Sequence, residues 1–167
     1  DLLDQWADDI AAFCNTLGID APVLFGQSFG GMVAMHYAAR YPASLSKLIL
    51  SSTAAQFRLD ETMKMMRQLG GEHAAEVARQ FFSAPSQAAY DTYGEVCLPL
   101  YSNPNAPDAG AFRDRAIQRP EVAVHFFQDE MARMDMRAEI ADITCPTLRS
   151  EEHTSELQSP CNLVCRL

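Results

Sequence analysis

A single serine stands among glycines in the run Gly26-Gln27-Ser28-Phe29-Gly30-Gly31. The pattern Gly-x-Ser-x-Gly is typical of a sharp turn that leads from a buried strand into a helix, with the serine at its apex. The segment Pro22 to Phe25 predicts the strand, and the helix is predicted to start near Phe29. A serine hydroxyl held on such a turn can attack a carbonyl carbon once a base takes its proton. The motif therefore indicates nucleophilic chemistry at Ser28.

The residues that flank Ser28 have predicted structural roles. Gly26 and Gly30 are expected to lie where the turn is too tight for a side chain, and Gly31 to let the helix and the strand approach closely. Ser28 itself is expected to have a strained backbone. The N–H group of Phe29, at the start of the helix, is expected to help bind an oxyanion. The alternative interpretation is a tight Gly-Ser turn that feeds an ordinary crossover helix.

Apolar patterns on both sides of the motif predict the elements that hold it. A second strand, Leu48 to Leu50, follows the predicted helix and completes a strand-helix-strand unit of a parallel sheet. Residues 1–17 predict an amphipathic helix that packs on this sheet and stops at Gly18. Its apolar face consists of Leu3, Trp6, Ile10, Phe13 and Leu17. The alternation of helices and strands predicts the α/β class.

A long helical stretch separates the second strand from the next one. Residues 1–55 are predicted to form the core that carries the serine, residues 56–140 a helical cap or lid, and residues 141–148 the start of the next core strand. Methionines concentrate in the predicted lid, where they either line an adaptable apolar pocket or fill an ordinary core. They are Met63, Met65, Met66, Met131, Met134 and Met136.

Composition and charge exclude several classes of function. The 167 residues are 48% hydrophobic and 21% charged, which suits a globular domain with a core. The formal net charge of −9, without clusters of Lys or Arg, favours neither nucleic acid nor an anionic membrane as a partner. No apolar run is long enough to cross a membrane and no Gly-rich phosphate loop follows a strand, so neither a membrane span nor nucleotide chemistry is expected. The chain starts at Asp1 without an initiator methionine or a signal peptide, so we expect its true start to be missing. The expected location is cytoplasmic.

The last nineteen residues have neither strand nor helix periodicity. Residues 149–167 resemble the in-frame translation of a common short-read sequencing adapter, beginning with Arg149-Ser150-Glu151-Glu152. We therefore treat this tail as non-native in reasoning about the fold. His153, Cys161 and Cys165 lie in it, but three ligands without a fourth at suitable spacing do not make a zinc site, and no metal is expected.

Residues 1–148 resemble the α/β-hydrolase superfamily and, within it, the proline iminopeptidase-like hydrolases. The resemblance implies a partial α/β-hydrolase fold, a parallel sheet fragment with an inserted helical lid. It also implies that Ser28 is the nucleophile of a triad whose acid and histidine follow it in the chain. Both partners are expected beyond Leu148, so they are expected to be absent from this chain. The segments that carry the resemblance are Gly26 to Gly31, Ala38 to Pro42, Lys47 to Ser52 and Cys145 to Leu148.

The resemblance leaves the substrate open. His125-Phe126-Phe127 partly resembles a lid segment of the proline iminopeptidases, but Ala123 stands where those enzymes have the Glu that binds an amino group. We expect the chain to be a fragment of a serine hydrolase that needs no cofactor and cleaves a small-molecule substrate, an ester- or amide-like compound. Thioester or carbon–carbon bond hydrolysis is equally compatible with the residues. The alternatives are a catalytically inactive fragment and a non-catalytic binding module with the same fold.

Overall fold

Helices and strands alternate along the part of the chain that the structure describes. The structure is a computed structural model, and it describes residues 1–101, 115 and 117–150. The described helices and strands are α1 (Leu2–Leu17), β1 (Val23–Gln27), α2 (Phe29–Arg40), β2 (Lys47–Ser51), α3 (Leu59–Ser83), α4 (Gln87–Val96), α5 (Pro120–Asp129) and β3 (Thr147–Ser150). Short 3₁₀ helices lie at Leu98–Tyr101, Met131–Arg133 and Glu139–Asp142.

These elements form two compact units. The core unit comprises Asp1–Phe57 and the described residues from Met134 onward, and the helical unit is Arg58–Arg133. A lid that spans residues 56–140 stays a prediction. Residues 134–140 have contacts within the core unit, where the N–H of Met136 donates to the carbonyl of Ala55 at 2.8 Å.

A three-stranded parallel sheet in the order β1-β2-β3 forms the centre of the core unit. Phe25 on β1 pairs with Ile49 on β2, which pairs with Leu148 on β3. β3 continues through Arg149 and Ser150, so the expectation that the strand pattern is lost after Leu148 is wrong by two residues. A parallel ladder uses only backbone groups, and the adapter-like residues can therefore extend it. The rest of that tail, residues 151–167, lies outside the described residues.

Helix α2 covers one face of this sheet. Leu48 and Leu50 of β2 are fully buried, as is Met35 of α2, and Tyr37 and Ala38 are nearly so. These side chains form the apolar layer between the sheet and the helix. This burial supplies the main driving force for holding α2, and thus the turn at its start, in place.

Helix α1 packs differently from the prediction. It begins where the Asp1 carboxylate accepts from the N–H of Leu3 at 2.8 Å and ends at Gly18, whose φ of 63° is the left-handed stop that the sequence predicted. Its buried residues are Leu3 and Ala7, while Phe13 and Leu17 of the predicted apolar face are exposed. α1 packs mainly on α2, and only the first half of its stripe is covered.

The helical unit has its own core. α3 is kinked at Gly71, whose φ of 74° and ψ of −171° lie outside the helical range, so two helical segments meet there. Gly70 permits the bend because a side chain there would meet Ala74 and Leu100 at 2.6 Å. The six methionines are buried, but Met134 and Met136 belong to the core unit. No helix of the described residues is both long and apolar enough to span a membrane.

The other face of the sheet exposes large apolar side chains. Val23 and Phe25 of β1 and Leu148 of β3 are 53%, 59% and 55% exposed. Contiguous apolar surface of this kind promotes association. We expect Phe25→Thr to reduce self-association of the chain severalfold, as measured by analytical ultracentrifugation, and to change the free energy of unfolding by less than about 1 kcal/mol, because threonine suits an exposed strand position.

The matched control is Ile117→Thr. Ile117 is 88% exposed but lies in the helical unit, outside the sheet. If the sheet face drives association, this variant should associate as the wild type does. Equal effects of the two substitutions would show that general hydrophobicity, and not the sheet face, is responsible.

Candidate active site

Ser28 lies at the junction between β1 and α2, in a conformation that few non-glycine residues adopt. Its φ of 50° and ψ of −121° confirm the strained backbone that the sequence predicted. Its N–H donates to the carbonyl of Ser51 at 2.9 Å, and its carbonyl accepts from the N–H of Gly31 at 3.0 Å. Its side chain is exposed and makes no capping hydrogen bond to α2. Ser28 therefore does not cap the helix with its hydroxyl, as a serine at the start of a helix usually does.

The glycines around Ser28 have unequal roles. A side chain at Gly26 would lie 2.5 Å from the carbonyl oxygen of Gly30 and 2.8 Å from the Cβ of Ala34, so Gly26 brings β1 and α2 together. A side chain at Gly31 would lie 2.5 Å from Thr53. A side chain at Gly30 would meet nothing within 4 Å, so the prediction that the turn is too tight there is wrong. The close approach occurs one residue later in the helix.

Phe29 is the first residue of α2, and its position anchors the turn. Its ring meets that of Trp6 edge-on, with centroids 5.1 Å apart and planes at 90°, which joins α1 to the start of α2. Its N–H group lies at the positive end of a twelve-residue helix, where negative charge is favoured. The backbone of Phe29 is thus suited to stabilise an oxyanion that forms beside Ser28.

His36 is engaged elsewhere in the core unit. Its Nε2 lies 2.9 Å from the Asp4 carboxylate of α1, and its Nδ1 lies 3.0 Å from the carboxylate of Glu139. Arg40 also binds Asp4, at 3.2 Å. Since both ring nitrogens have carboxylate partners, His36 joins three elements and is not placed to act as a base for Ser28.

The other described histidines belong to the helical unit. His73 and His125 are exposed, and the Nδ1 of His125 lies 3.2 Å from Asp129. Within residues 1–101, 115 and 117–150, no histidine forms a hydrogen bond with Ser28, and no three His, Cys, Asp or Glu side chains are grouped to hold a metal ion. His153 lies outside the described residues.

The network around His36 makes stability depend on pH. The hydrogen bond from His36, with a smaller contribution from Arg40, lowers the pKa of Asp4. A lowered folded-state pKa stabilises the fold above the unfolded pKa, and this contribution is lost as the pH falls through the folded value. We expect Asp4→Asn to be less stable than the wild type at neutral pH, by a small amount because the carboxylate is exposed, and the difference to vanish between about pH 4 and pH 2.

Urea unfolding at a series of pH values measures this effect. In a His36→Ala background the same Asp4→Asn substitution should lose most of its pH dependence, because the main donor to the carboxylate is gone. A difference between Asp4→Asn and wild type that stays constant down to pH 2 would contradict the assignment.

Thr53 belongs to the site, although its role was not recognised in the sequence. Its side chain is 4% exposed, and its Oγ1 donates to the carbonyl of Ser28 at 2.7 Å. The sequence does place the polar run Ser51-Ser52-Thr53 at the carboxyl end of β2, at the edge of a parallel sheet where ligands bind. That polar run after a buried strand was the available signal, but only the structure shows which hydroxyl reaches Ser28.

Comparisons with known proteins identify the fold family. Residues 3–93 match the family described as the alpha/beta hydrolase fold. The AB hydrolase superfamily protein YisY of Bacillus subtilis is 27% identical over 160 residues, which cover 82% of this chain and 60% of that protein. A proline iminopeptidase of Clostridioides difficile is 38% identical over 65 residues, 38% of this chain and 22% of that protein.

A solved structure shows the same fold. The proline iminopeptidase of Mycobacterium smegmatis superimposes with a TM-score of 0.61 at 22% identity, covering 88% of this chain and 55% of that one. The chain spans about half the length of the curated relatives it matches. The resemblance to proline iminopeptidase-like hydrolases and the expected α/β-hydrolase fold, with its short parallel sheet and helices, are confirmed. The chain belongs to the α/β-hydrolase fold family.

Proposed function

We propose that this chain carries the nucleophile of a serine hydrolase that cleaves a small ester- or amide-like substrate. The observation that carries the proposal is the backbone of Ser28. A serine between a strand and a helix would be expected to cap the helix with its hydroxyl, but Ser28 has φ 50° and ψ −121°, an exposed side chain and no capping bond. Such strain persists only where the surrounding structure enforces it, and it concentrates at functional sites.

The chemistry follows from this geometry. The Oγ of Ser28 attacks the substrate carbonyl carbon, its proton passes to a base, and the leaving group departs with a proton as the acyl-serine forms. The N–H of Phe29 stabilises the oxyanion of the tetrahedral intermediate. Water then releases the acid and restores the serine. Similarity to proline iminopeptidases supports an amide-like substrate, and the same steps serve an ester.

The base and its orienting acid are proposed to lie outside residues 1–148. His36 is held by Asp4 and Glu139, and family members have the order serine, acid, histidine along the chain. The match to only about half the length of the relatives supports a fragment of a longer enzyme. On this proposal the 167-residue chain binds a substrate weakly at most and turns it over slowly or not at all.

Labelling with a fluorophosphonate probe tests the proposal. The protein translated from the uninterrupted reading frame around residues 1–148 should react with the probe, and Ser28→Ala should abolish the reaction. Ser52→Ala is the matched control, because Ser52 follows β2 as Ser28 follows β1 and has a similar φ of 46°. The 167-residue chain should react at least about 100-fold more slowly than the longer protein, since the activating base is missing.

Two results would contradict the proposal. Labelling that persists in Ser28→Ala would place the nucleophile elsewhere. A longer protein that does not label, although it is folded, would favour a non-catalytic binding module. Fast Ser28-dependent labelling of the 167-residue chain would leave Ser28 as the nucleophile but would show that the base lies within this chain.

A further inference from the structure

Thr53 is unusual for its burial. At 4% exposure, it is the one buried side chain of a polar or charged residue type, tyrosine and cysteine aside, among the residues that the structure describes. Its buried hydroxyl is hydrogen-bonded, because Oγ1 donates to the carbonyl oxygen of Ser28 at 2.7 Å. A buried hydroxyl that donates to the backbone of a strained residue helps to hold that backbone in its strained conformation. The hydroxyl of Thr53 therefore helps to fix the geometry of the candidate site.

The carbonyl that Thr53 binds belongs to the same peptide group as the proposed oxyanion donor. The peptide unit between Ser28 and Phe29 is planar, with the carbonyl oxygen of Ser28 and the N–H of Phe29 pointing in opposite directions. Fixing the oxygen therefore fixes the direction of the N–H. A hydrogen bond accepted by the oxygen also polarises the peptide group and makes its N–H a stronger donor.

Two neighbouring residues, Gly31 and Ser52, allow the side chain of Thr53 to reach Ser28. Gly31 lacks the side chain that would otherwise lie 2.5 Å from the Cβ of Thr53 and 2.6 Å from its Oγ1 and Cγ2. The preceding residue, Ser52, has φ 46°, and its N–H donates to the carbonyl of Ser150 at 3.0 Å. A second strained turn, at the end of β2, thus directs Thr53 towards the turn at the end of β1.

We propose that Thr53 is a positioning residue, which orients and polarises the Ser28–Phe29 peptide group so that the N–H of Phe29 meets the oxyanion. The inference rests on the proposed function of Ser28 as nucleophile. Thr53 touches neither the substrate nor the reacting atoms, and it acts through the backbone. Gly31 has a matching role, because it makes room for the threonine side chain.

Two near-isosteric variants separate the hydroxyl from the shape of the side chain. Thr53→Val keeps the branched shape and removes the hydroxyl, whereas Thr53→Ser keeps the hydroxyl and removes the methyl group. In the longer protein, we expect Thr53→Val to lower kcat for p-nitrophenyl acetate hydrolysis about tenfold with KM unchanged, since the affected contact forms only in the transition state. Thr53→Ser, which keeps the hydroxyl, should have a kcat within about twofold of the wild-type value.

The amide resonance of Phe29 gives a readout that needs no catalysis. In ¹H–¹⁵N spectra, Thr53→Val should shift this resonance and Thr53→Ser should leave it near its wild-type position. If the longer protein proves inactive, the proposed function fails but this comparison still tests Thr53. If Thr53→Val does not fold, Thr53→Ala removes the hydroxyl without pressing a methyl group against the Ser28 carbonyl and replaces it in both measurements.

The outcomes are distinct. A loss of kcat and a shift of the Phe29 resonance in Thr53→Val, both reversed in Thr53→Ser, support the proposal. Equal losses in the two variants would assign Thr53 a packing role only. An unchanged kcat and an unchanged Phe29 resonance in Thr53→Val would overturn the proposal outright.

Discussion

Replacing Gly26 by alanine is expected to lower the free energy of unfolding by about 3 kcal/mol, the upper end of what overpacking usually costs. The new Cβ would lie 2.5 Å from the carbonyl oxygen of Gly30 and 2.7 Å from the Cα of Gly31. Both are backbone atoms of α2, so no side chain can rotate to relieve the contact. The strand and the helix must separate, and the buried layer of Leu48, Leu50 and Met35 opens with them.

Gly30→Ala is the matched control for this prediction. A Cβ at Gly30 meets nothing within 4 Å, and Gly30 lies in the first turn of α2 without a positive φ. Alanine is a better helix former than glycine, so Gly30→Ala should leave stability unchanged or raise it by up to about 1 kcal/mol. Urea unfolding of the two variants, followed by the fluorescence of Trp6, measures both effects. Similar losses for the two glycines would contradict the assigned contacts.

The sequence predicted the strand-turn-helix around Ser28 because local patterns specify it. The short apolar runs of β1 and β2 and the glycines between them are local signals, and the positive φ of Ser28 follows from the turn that they form. The same signals could not tell Gly30 from Gly31. Which glycine is crowded depends on Thr53, a residue more than twenty positions away that reaches α2 only through the parallel pairing of β1 with β2.

Tertiary packing explains the other differences between the sequence-based predictions and the structure. The periodicity of α1 identified an apolar stripe correctly but not its partner, since Leu3 and Ala7 are buried while Phe13 and Leu17 are exposed. Periodicity shows which residues share a face and says nothing about what covers that face. β3 continues into Arg149 and Ser150 because backbone pairing with β2 extends a strand whatever its side chains are. The partners of His36, Asp4 and Glu139, lie 32 and 103 positions away in the chain, so only the structure identifies them.

Phe81→Ala is expected to destabilise the helical unit by about 4 kcal/mol, the range of large aromatic truncations in a core. Phe81 is 1% exposed, and its ring lies 4.7 Å from that of Phe127 and 4.8 Å from that of Tyr93, measured between centroids. It therefore joins α3, α4 and α5. Burial raises the pKa of the Tyr93 phenol, as expected where the cluster excludes water. Removing the ring leaves a cavity at the point where three helices meet.

Leu69→Ala provides the comparison on the same helix. Leu69 is 42% exposed, so its truncation should cost less than about 1 kcal/mol. Circular dichroism at 222 nm follows the helices of both units during urea unfolding, whereas the fluorescence of the single tryptophan, Trp6, reports on the core unit alone. A change in the dichroism transition without a change in the fluorescence transition therefore reports on the helical unit. A drop in the midpoint of the dichroism transition in Phe81→Ala, with a much smaller drop in Leu69→Ala, is the expected result. If both variants shift the midpoint equally, the aromatic cluster is not what holds the helical unit together, and the exposed side of α3 must contribute as much as its buried side.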